Sequence, residues 1–286
     1  MDFKNGRQLI ELCNTNNCPI SQIMLIREET FTERPGEDLL QQMSETWQIM
    51  KDSAHFAVED PKPSMGGLIG GEAKLVSQHR ESGKSICKDP LSLAITYSMA
   101  VLETSASMGL IVAAPTAGSA GIVPGLLLAL QETYALSDSD IVSALFNAGA
   151  IGCLAMRNAT VAGAVGGCQA EAGVASAMAA SAAVELMGGS AQQCLDAAST
   201  VLMNMLGLVC DPVGGLVECP CQMRNASGVA NALTAAEIAL SNVRQLIPFD
   251  EMLDAMYTAG KRLPSEYRET ALGGCAATAT GCTLCH

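Results

Sequence analysis

Hydrophobic residues along most of this chain recur with the spacing of one helix face, and few runs combine β-branched residues with strict alternation. The first such stretch covers residues 37–57, within a polar and charged N-terminal segment. After Asp89 the pattern becomes rich in alanine, the strongest helix former, and stays helical over long stretches. The pattern therefore predicts an all-α chain.

Local signals mark the ends of several of these helices. Ser137 begins a capping-box pattern ahead of residues 141–156. Ser190 precedes a second helical stretch, 191–206, and Gly207 follows it as a stop signal. Only 3% of the residues are aromatic, so we expect alanine, glycine and serine to let these helices approach closely.

A loop rich in proline and glycine, EDPKPSMGGLIGG at residues 59–71, separates two parts of the chain. Residues 1–60 form a polar helical N-terminal segment. We expect residues 61–286 to form an Ala/Gly-rich helical domain with Gly-rich and Cys-bearing loops and a C-terminal Cys tail. We expect the two parts to form one compact unit.

The longest uncharged stretch, residues 104–131, is long enough to cross a membrane. It is interrupted by APTAGSAG and by Pro124, and no basic residues flank it. We therefore expect a buried helix–loop–helix and no membrane partner. The first ten residues are charged and lack the apolar region of a signal peptide, which favours a cytoplasmic protein.

Charge is distributed unevenly along the 286 residues, whose formal net charge is -13. This acidity argues against nucleic acid as a partner. Between Asp89 and Gly260 there are fourteen acidic residues, three arginines, and no lysine or histidine. A pyridoxal-phosphate enzyme needs a lysine, and a zinc hydrolase usually needs histidine ligands. Chemistry in this region must therefore use thiols, carboxylates, amides, hydroxyls and the backbone.

The twelve cysteines fall into different settings. Cys153 and Cys194 lie in apolar helical stretches and are expected to fill the core. Cys168 follows two glycines in VGGCQAE, where another group can approach closely. Three more occur in the irregular segment GLVCDPVGGLVECPCQMRN, and the tail ends in a CxxC pair. Such dispersed thiols favour an iron–sulfur cluster over structural zinc, which usually has paired knuckles, but spacing alone leaves both open.

A Gly-rich segment, APTAGSAGIVPG, places Thr116 and Ser119 just before a helix that is predicted to begin near Ile122. Free N–H groups at such a helix start can bind a carboxylate. The segment MGGLIGGEAKL has the same potential. Neither fits a nucleotide-binding pattern, and ordinary tight turns between helices remain the alternative for both.

Five stretches of the chain resemble the α chain of the two-subunit, iron–sulfur-dependent L-serine dehydratases. They cover most of residues 65–281: MGGLIGGEAK, APTAGSAGIVPG, GAVGGCQAEAGVASAMAA, GLVCDPVGGLVECPCQMRNASGVANA and ETALGGCAATATG. The resemblance implies a helical domain and a [4Fe-4S] cluster held by Cys168, Cys210 and Cys221, with Cys219 as a neighbour that is not a ligand. In some members a C-terminal cysteine is a displaceable ligand. Here either Cys282 or Cys285 can take that place.

The resemblance also implies a carbon–oxygen lyase that works without pyridoxal phosphate and converts L-serine to pyruvate and ammonia. Action on L-cysteine or L-threonine is one alternative, and a non-catalytic, Cys-rich zinc-binding protein is another. The family's Ser-Ser-Ser-His-Thr segment is absent from this chain. In two-subunit members it belongs to the β chain, so a separate β subunit is expected, and the catalytic base can lie on it.

Within this reaction we expect six residues of the chain to bind the amino-acid substrate. Backbone and hydroxyl donors of the Gly-rich loop hold the carboxylate, and two residues after Cys221 supply charge or hydrogen bonds near the cluster. The six are Thr116, Ala117, Gly118, Ser119, Arg224 and Asn225. For Arg224, an ion pair with Glu218 or another carboxylate is the alternative. Gln169 and Glu171 flank Cys168 as supporting residues.

Overall fold

The computed structural model describes residues 1–284, which form thirteen α-helices and no β-strand apart from one isolated parallel bridge between Cys210 and Arg268. The all-α prediction is confirmed. The helices are α1 (Gly6–Asn16), α2 (Ile20–Thr32), α3 (Gly36–Glu59), α4 (Glu72–Glu81), α5 (Leu91–Ala106), α6 (Ile122–Tyr134), α7 (Asp138–Asn158), α8 (Gly163–Gly166), α9 (Val174–Leu186), α10 (Ala191–Asn204), α11 (Cys221–Leu240), α12 (Phe249–Arg262) and α13 (Ala279–Thr283).

The centre of the molecule is α9, whose residues are buried along nearly its whole length. It packs against α6, α7, α10 and α11, while α5 packs against α3, α6 and α11. Small residues make these contacts close. A Cβ added at Gly125 of α6 would lie 2.7 Å from the backbone nitrogen of Ser98 in α5. Close helix approach thus compensates for the shortage of aromatic side chains, as the sequence predicts.

The N-terminal helices pack on this core through buried apolar side chains such as Leu9 and Ile23. Trp47 of α3 is buried, and its indole N–H donates to Asp138 Oδ1 at the start of α7 over 3.0 Å. Lys51 forms an ion pair with the same carboxylate at 2.9 Å. The division of the chain at residue 60 stays a prediction.

The capping signals read from the sequence are present. Ser137 and Asp140 form a complete capping box at the start of α7, and Ser190 and Gln193 form another at the start of α10. Helix α10 ends at Asn204, two residues earlier than predicted, and the chain turns through Gly207 at a φ of 86°.

The uncharged stretch at residues 104–131 is a helix–loop–helix, as predicted, but its loop is not buried, since Met108 and Leu110 are exposed. Helix α5 ends at Ala106, and α6 begins at Ile122 after a short 3-10 turn at Ala117–Ser119. Within residues 1–284 one helix, α7, is long and apolar enough to cross a membrane. Because 67% of its apolar window is buried inside the protein, it packs as a core helix.

Candidate functional site

Three thiols are brought together by loops at one end of the helical core. Cys168 lies between α8 and a π-helical turn, Gln169–Gly173, that leads into α9. Cys210 lies in the segment after α10, where its N–H and C=O bond to the backbone of Tyr267 and Glu269. Cys221 is the first residue of α11. Local π-helical turns are common at functional sites, and this one sets the start of α9 beside Cys168.

Burial raises the pKa of all three thiols, to about 12 for Cys221. The thiols also affect one another, because charge on Cys168 raises the pKa of both Cys210 and Cys221. Without added positive charge the protein therefore holds the three as neutral thiols. Together they become thiolates only if a cation or metal compensates their charge.

Arg224 is the charged side chain that joins these segments. Its Nη2 forms an ion pair with Asp211 Oδ1 at 2.6 Å, and its Nη1 donates to the Val209 carbonyl at 2.8 Å. The guanidinium charge also lowers the pKa of Cys168, against the larger rise that burial causes. Asp211 is buried and accepts the backbone N–H of Cys275 at 2.6 Å. The ion-pair alternative for Arg224 is thus realised with Asp211 instead of Glu218. A role for Arg224 in substrate binding stays a prediction.

Glu171 connects the Gly-rich loop with Cys210. Its Oε1 accepts the Thr116 hydroxyl at 2.9 Å, and its Oε2 accepts the Cys210 thiol at 3.6 Å. Burial raises the pKa of Glu171, although the bonds from Thr116 and Cys210 partly oppose this. Gly163 provides the space, since a Cβ there would lie 2.5 Å from Glu171 Oε2 and 3.0 Å from Cys210 Sγ.

The predicted substrate loop is held in place by Asn225. The Asn225 amide donates to the carbonyls of Gly118 and Cys221 at 2.8 and 2.9 Å, and its oxygen accepts the Gly121 N–H at 3.1 Å. Asn225 is fully buried, so its contacts fix the loop against the first turn of α11. This is a positioning role that the sequence analysis did not assign, and direct contact with substrate stays a prediction.

Within the loop, the Thr116 and Ser119 hydroxyls lie 3.1 Å apart. The first two N–H groups of the 3-10 turn, those of Ala117 and Gly118, have no acceptor among residues 1–284. Gly118 also lies next to Glu171, whose Oε1 is 3.6 Å from the position of an added Cβ. Two of the predicted substrate residues, Thr116 and Gly118, therefore lie beside Glu171, which also contacts the Cys210 thiol.

The other Gly-rich segment, MGGLIGG, binds carboxylates that belong to the protein itself. Buried Glu218 accepts the Ser64 hydroxyl at 2.6 Å and the N–H groups of Gly66 and Leu68 at 2.8 and 3.0 Å. Since Glu218 directly precedes Cys219, this bond set fastens the Gly-rich loop to the cysteine segment. The N–H groups expected to bind an external anion are used internally.

Glu103 completes this attachment from α5. It accepts the N–H groups of Gly71 and Ala73, each at 2.8 Å, and the Gln222 side-chain amide at 2.7 Å. Burial raises its pKa. The sequence analysis assigned no role to Glu103 or to the Glu218 contacts. The available signal was a single acidic residue within an apolar stretch, as in AVLET and GLVEC.

The C-terminal tail returns to the same end of the molecule. Cys275 lies on a turn, and its backbone N–H donates to the Asp211 carboxylate. Cys282 is exposed, and its thiol lies 3.6 Å from the Ala276 carbonyl. The other tail candidate, Cys285, lies outside the described residues. Which of the two, if either, is a ligand stays open.

Comparison with known proteins decides the family. A family model described as "Serine dehydratase alpha chain" matches residues 15–276. The chain belongs to the serine dehydratase alpha chain family. The L-serine dehydratase assignment made from the five motifs agrees with this match.

Individual relatives carry the same name. The chain is 45% identical to the "Probable L-serine dehydratase, alpha chain" of Bacillus subtilis (strain 168), over 98% of this chain and 93% of that protein. It is 42% identical to the "L-serine dehydratase, alpha chain" of Peptoniphilus asaccharolyticus, over 98% and 96%. It is also 35% identical to an "L-serine dehydratase" of Helicobacter pylori (strain J99 / ATCC 700824), over 97% of this chain but 62% of that longer protein.

Proposed function

We propose that this chain is the α subunit of an L-serine dehydratase, a carbon–oxygen lyase that converts L-serine to pyruvate and ammonia without pyridoxal phosphate. The observation that carries the proposal is the convergence of three buried thiols with the Thr116–Glu171 contact, all within the motifs that define the resemblance. The names of its relatives support the substrate.

We propose that Cys168, Cys210 and Cys221 hold a [4Fe-4S] cluster. Among residues 1–284 no three metal-binding side chains lie close enough for one metal ion. The ligands of a cluster bind different irons and are therefore more widely spaced than the ligands of one ion. Burial, mutual charge repulsion and the adjacent Arg224 guanidinium are the setting in which positively charged iron would favour the thiolate forms.

When bound, such a cluster supplies a Lewis acid that makes the substrate hydroxyl a better leaving group. The chain's own residues orient the amino acid. The free N–H groups of Ala117 and Gly118 provide donors for its carboxylate, while the hydroxyls of Thr116 and Ser119 bond each other and Glu171 and so hold the loop in shape. Glu171 and Asn225 fix this loop, one on the side of Cys210 and the other against Cys221. Arg224 holds the segment of Cys210 against α11 through the Val209 carbonyl and the Asp211 carboxylate.

We further propose that a separate β subunit completes the active site. The two histidines of the described chain, His55 and His79, lie on α3 and α4, and neither contacts the thiols. A base that removes the Cα proton would then come from the partner. We also place the protein in the cytoplasm, since the cysteines described within residues 1–284 are all free thiols.

The substrate is tested by anaerobic assay of the αβ complex with L-serine, L-threonine and L-cysteine at equal concentration. We expect L-serine to give the highest kcat/KM, with pyruvate and ammonia formed in equal amounts. Replacing Thr116 by valine removes the hydroxyl at nearly constant volume and should lower kcat/KM at least about tenfold, the effect of one lost hydrogen bond in a substrate-binding site. No activity on L-serine, with activity on another amino acid, would contradict the substrate.

A further inference from the structure

The backbone between α5 and the 3-10 turn, at residues 107–116, has no regular secondary structure. From Leu110 to Ala113 its N–H and C=O groups make no hydrogen bond with any other part of residues 1–284. The side chains here are apolar, and those of Met108 and Leu110 are 76% and 72% exposed. A run of apolar and β-branched residues whose backbone N–H and C=O groups are unpaired can accept a second strand.

A cavity of about 740 Å³ opens beside this segment. Val112 and Ala114 form one wall, and α2, α3, α7 and α9 form the others, with methionine side chains such as Met24, Met50 and Met178. Methionine is flexible and adapts to the shape of an incoming apolar group. The segment and the cavity together provide backbone pairing and apolar pockets, the two parts of strand-addition recognition.

The lengths of two relatives indicate which partner would pair with this segment. This chain matches nearly the whole of the Bacillus subtilis alpha chain but only 62% of the Helicobacter pylori enzyme. The longer protein therefore carries additional polypeptide on the same chain, and in a two-subunit enzyme this would be a separate subunit. The unpaired segment continues directly into Thr116 and the candidate substrate loop, where an additional subunit would have to reach to complete the site.

We propose that residues 110–113 pair with an extended strand of the β subunit, and that side chains of that strand fill the adjacent cavity. The inference rests on the proposed two-subunit enzyme and goes beyond it by placing the interface. Pairing would fix the backbone just before Thr116, so that subunit assembly and the order of the substrate loop are coupled. The exposed apolar side chains would then be covered in the assembled enzyme.

Hydrogen exchange measured by mass spectrometry tests the placement directly. The isolated chain and the αβ complex, purified by size exclusion, are compared over the peptide that covers residues 107–116. We expect amides 110–113 to exchange rapidly in the isolated chain and at least about tenfold more slowly in the complex, as for amides that gain a hydrogen bond. The exposed loop around Leu246, which is 93% exposed, is the internal control and should not change.

Three other results of this exchange experiment would each contradict the proposed docking site. A stable complex in which residues 110–113 remain unprotected would overturn the docking site and leave the two-subunit enzyme intact. Failure of any αβ complex to form would overturn both. Protection that appears in the isolated chain as its concentration rises would assign the segment to a second copy of this chain and overturn the proposed partner.

A matched pair of variants supplies an independent test. Val112→Pro removes one N–H donor and blocks strand pairing, so we expect at least tenfold weaker binding of the β subunit. Unfolding of the isolated chain should change little, because this N–H has no partner within residues 1–284. Ile86→Pro, in another loop and at a residue that is 99% exposed, is the control and should bind normally. Equal binding by both variants would contradict the proposal.

Discussion

The helical core and the loop-built site of this protein are stabilised by different kinds of interaction. In the core, α5, α6 and α9 bury mainly alanine and aliphatic side chains, and the contacts are close because the residues are small. In the site, the loops are held by buried carboxylates and amides: Glu103, Glu218, Asp211 and Asn225. Packing energy in the core is spread over many atoms. In the site, a buried polar group that loses its hydrogen-bond partner is left unpaired, at a larger cost for that one contact.

This difference predicts whether a single substitution should change the stability of the whole domain or the order of the loops at the site. A cavity in the core should lower the stability of the whole domain and leave the arrangement of the site unchanged in molecules that remain folded. Loss of one buried charge should disturb the loops first. Comparing global unfolding with local exchange at the loops separates the two effects.

The largest effect is expected for Arg224→Met, which leaves the buried Asp211 carboxylate without its ion pair. Removal of one partner from a buried pair costs about 3–5 kcal/mol, and we expect a loss of about 4 kcal/mol in urea unfolding. Arg244→Met, at an exposed residue of the same acidic region, should change stability by less than about 0.5 kcal/mol. If the two variants were equally stable, the ion pair would not hold the site together.

Leu126→Ala tests the core, since this side chain of α6 is fully buried. We expect a loss of about 3 kcal/mol in the free energy of unfolding. Leu126→Met, which nearly conserves volume, should cost less than about 1.5 kcal/mol. Hydrogen exchange in the loop at residues 64–71 should be unchanged below the unfolding transition. Selective loosening of that loop would show that core and site are not separable.

Glu218→Gln tests the polar contacts of the site, because it removes a negative charge and nearly conserves the shape of the side chain. The amide cannot accept on both sides, so the bonds from Ser64, Gly66 and Leu68 are weakened or lost. We expect about 2 kcal/mol of destabilisation and faster exchange at residues 64–71. Glu237→Gln, at an exposed residue of α11, the helix that begins three residues after Glu218, is the matched control and should leave both measurements unchanged. Unchanged exchange in E218Q would exclude the carboxylate as the loop's anchor.

The smallest effect belongs to a partly exposed contact outside both regions, between His55 of α3 and Glu132 of α6 at 3.6 Å. The Glu132 carboxylate raises the pKa of His55 above 6.5, and His55 lowers the pKa of Glu132. The histidine's contribution is therefore complete below pH 6.5 and disappears as pH rises through the folded pKa.

The measurement is the difference in urea unfolding between the wild type and His55→Asn, followed with pH. It should be largest just below pH 6.5, where the Glu132 carboxylate is also still charged, and should shrink at alkaline pH. His79→Asn on α4 controls for loss of a histidine elsewhere. A difference that grows as pH rises would contradict the ion pair.

Local features of the fold were predictable from the sequence because they depend on neighbouring residues. Helical periodicity predicted the class, and the boxes at Ser137 and Ser190 lie within four residues of chain. The motifs likewise indicated that Cys168, Cys210 and Cys221 belong to one site. The end of α10 was predicted two residues late, since the turn through Gly207 is set by the tertiary contact of its N–H with Gln169.

The polar scaffold of the site was not predictable, because its partners are far apart along the chain. Glu218 bonds residues about 150 positions away, and Asp211 bonds the N–H of Cys275 from 64 positions away. No spacing rule relates such residues. Their signal is only that a charged side chain stands in an apolar context, where burial requires a partner that the sequence does not name.

Iron and acid-labile sulfide analysis of anaerobically prepared protein tests the central claim most directly. The account predicts about four of each per chain in the wild type, with a brown chromophore. Serine at Cys168, Cys210 or Cys221 should remove most of both, whereas serine at Cys153 or Cys194 should retain them. A colourless, air-stable protein that contains zinc, or full iron content in all three ligand variants, would contradict it.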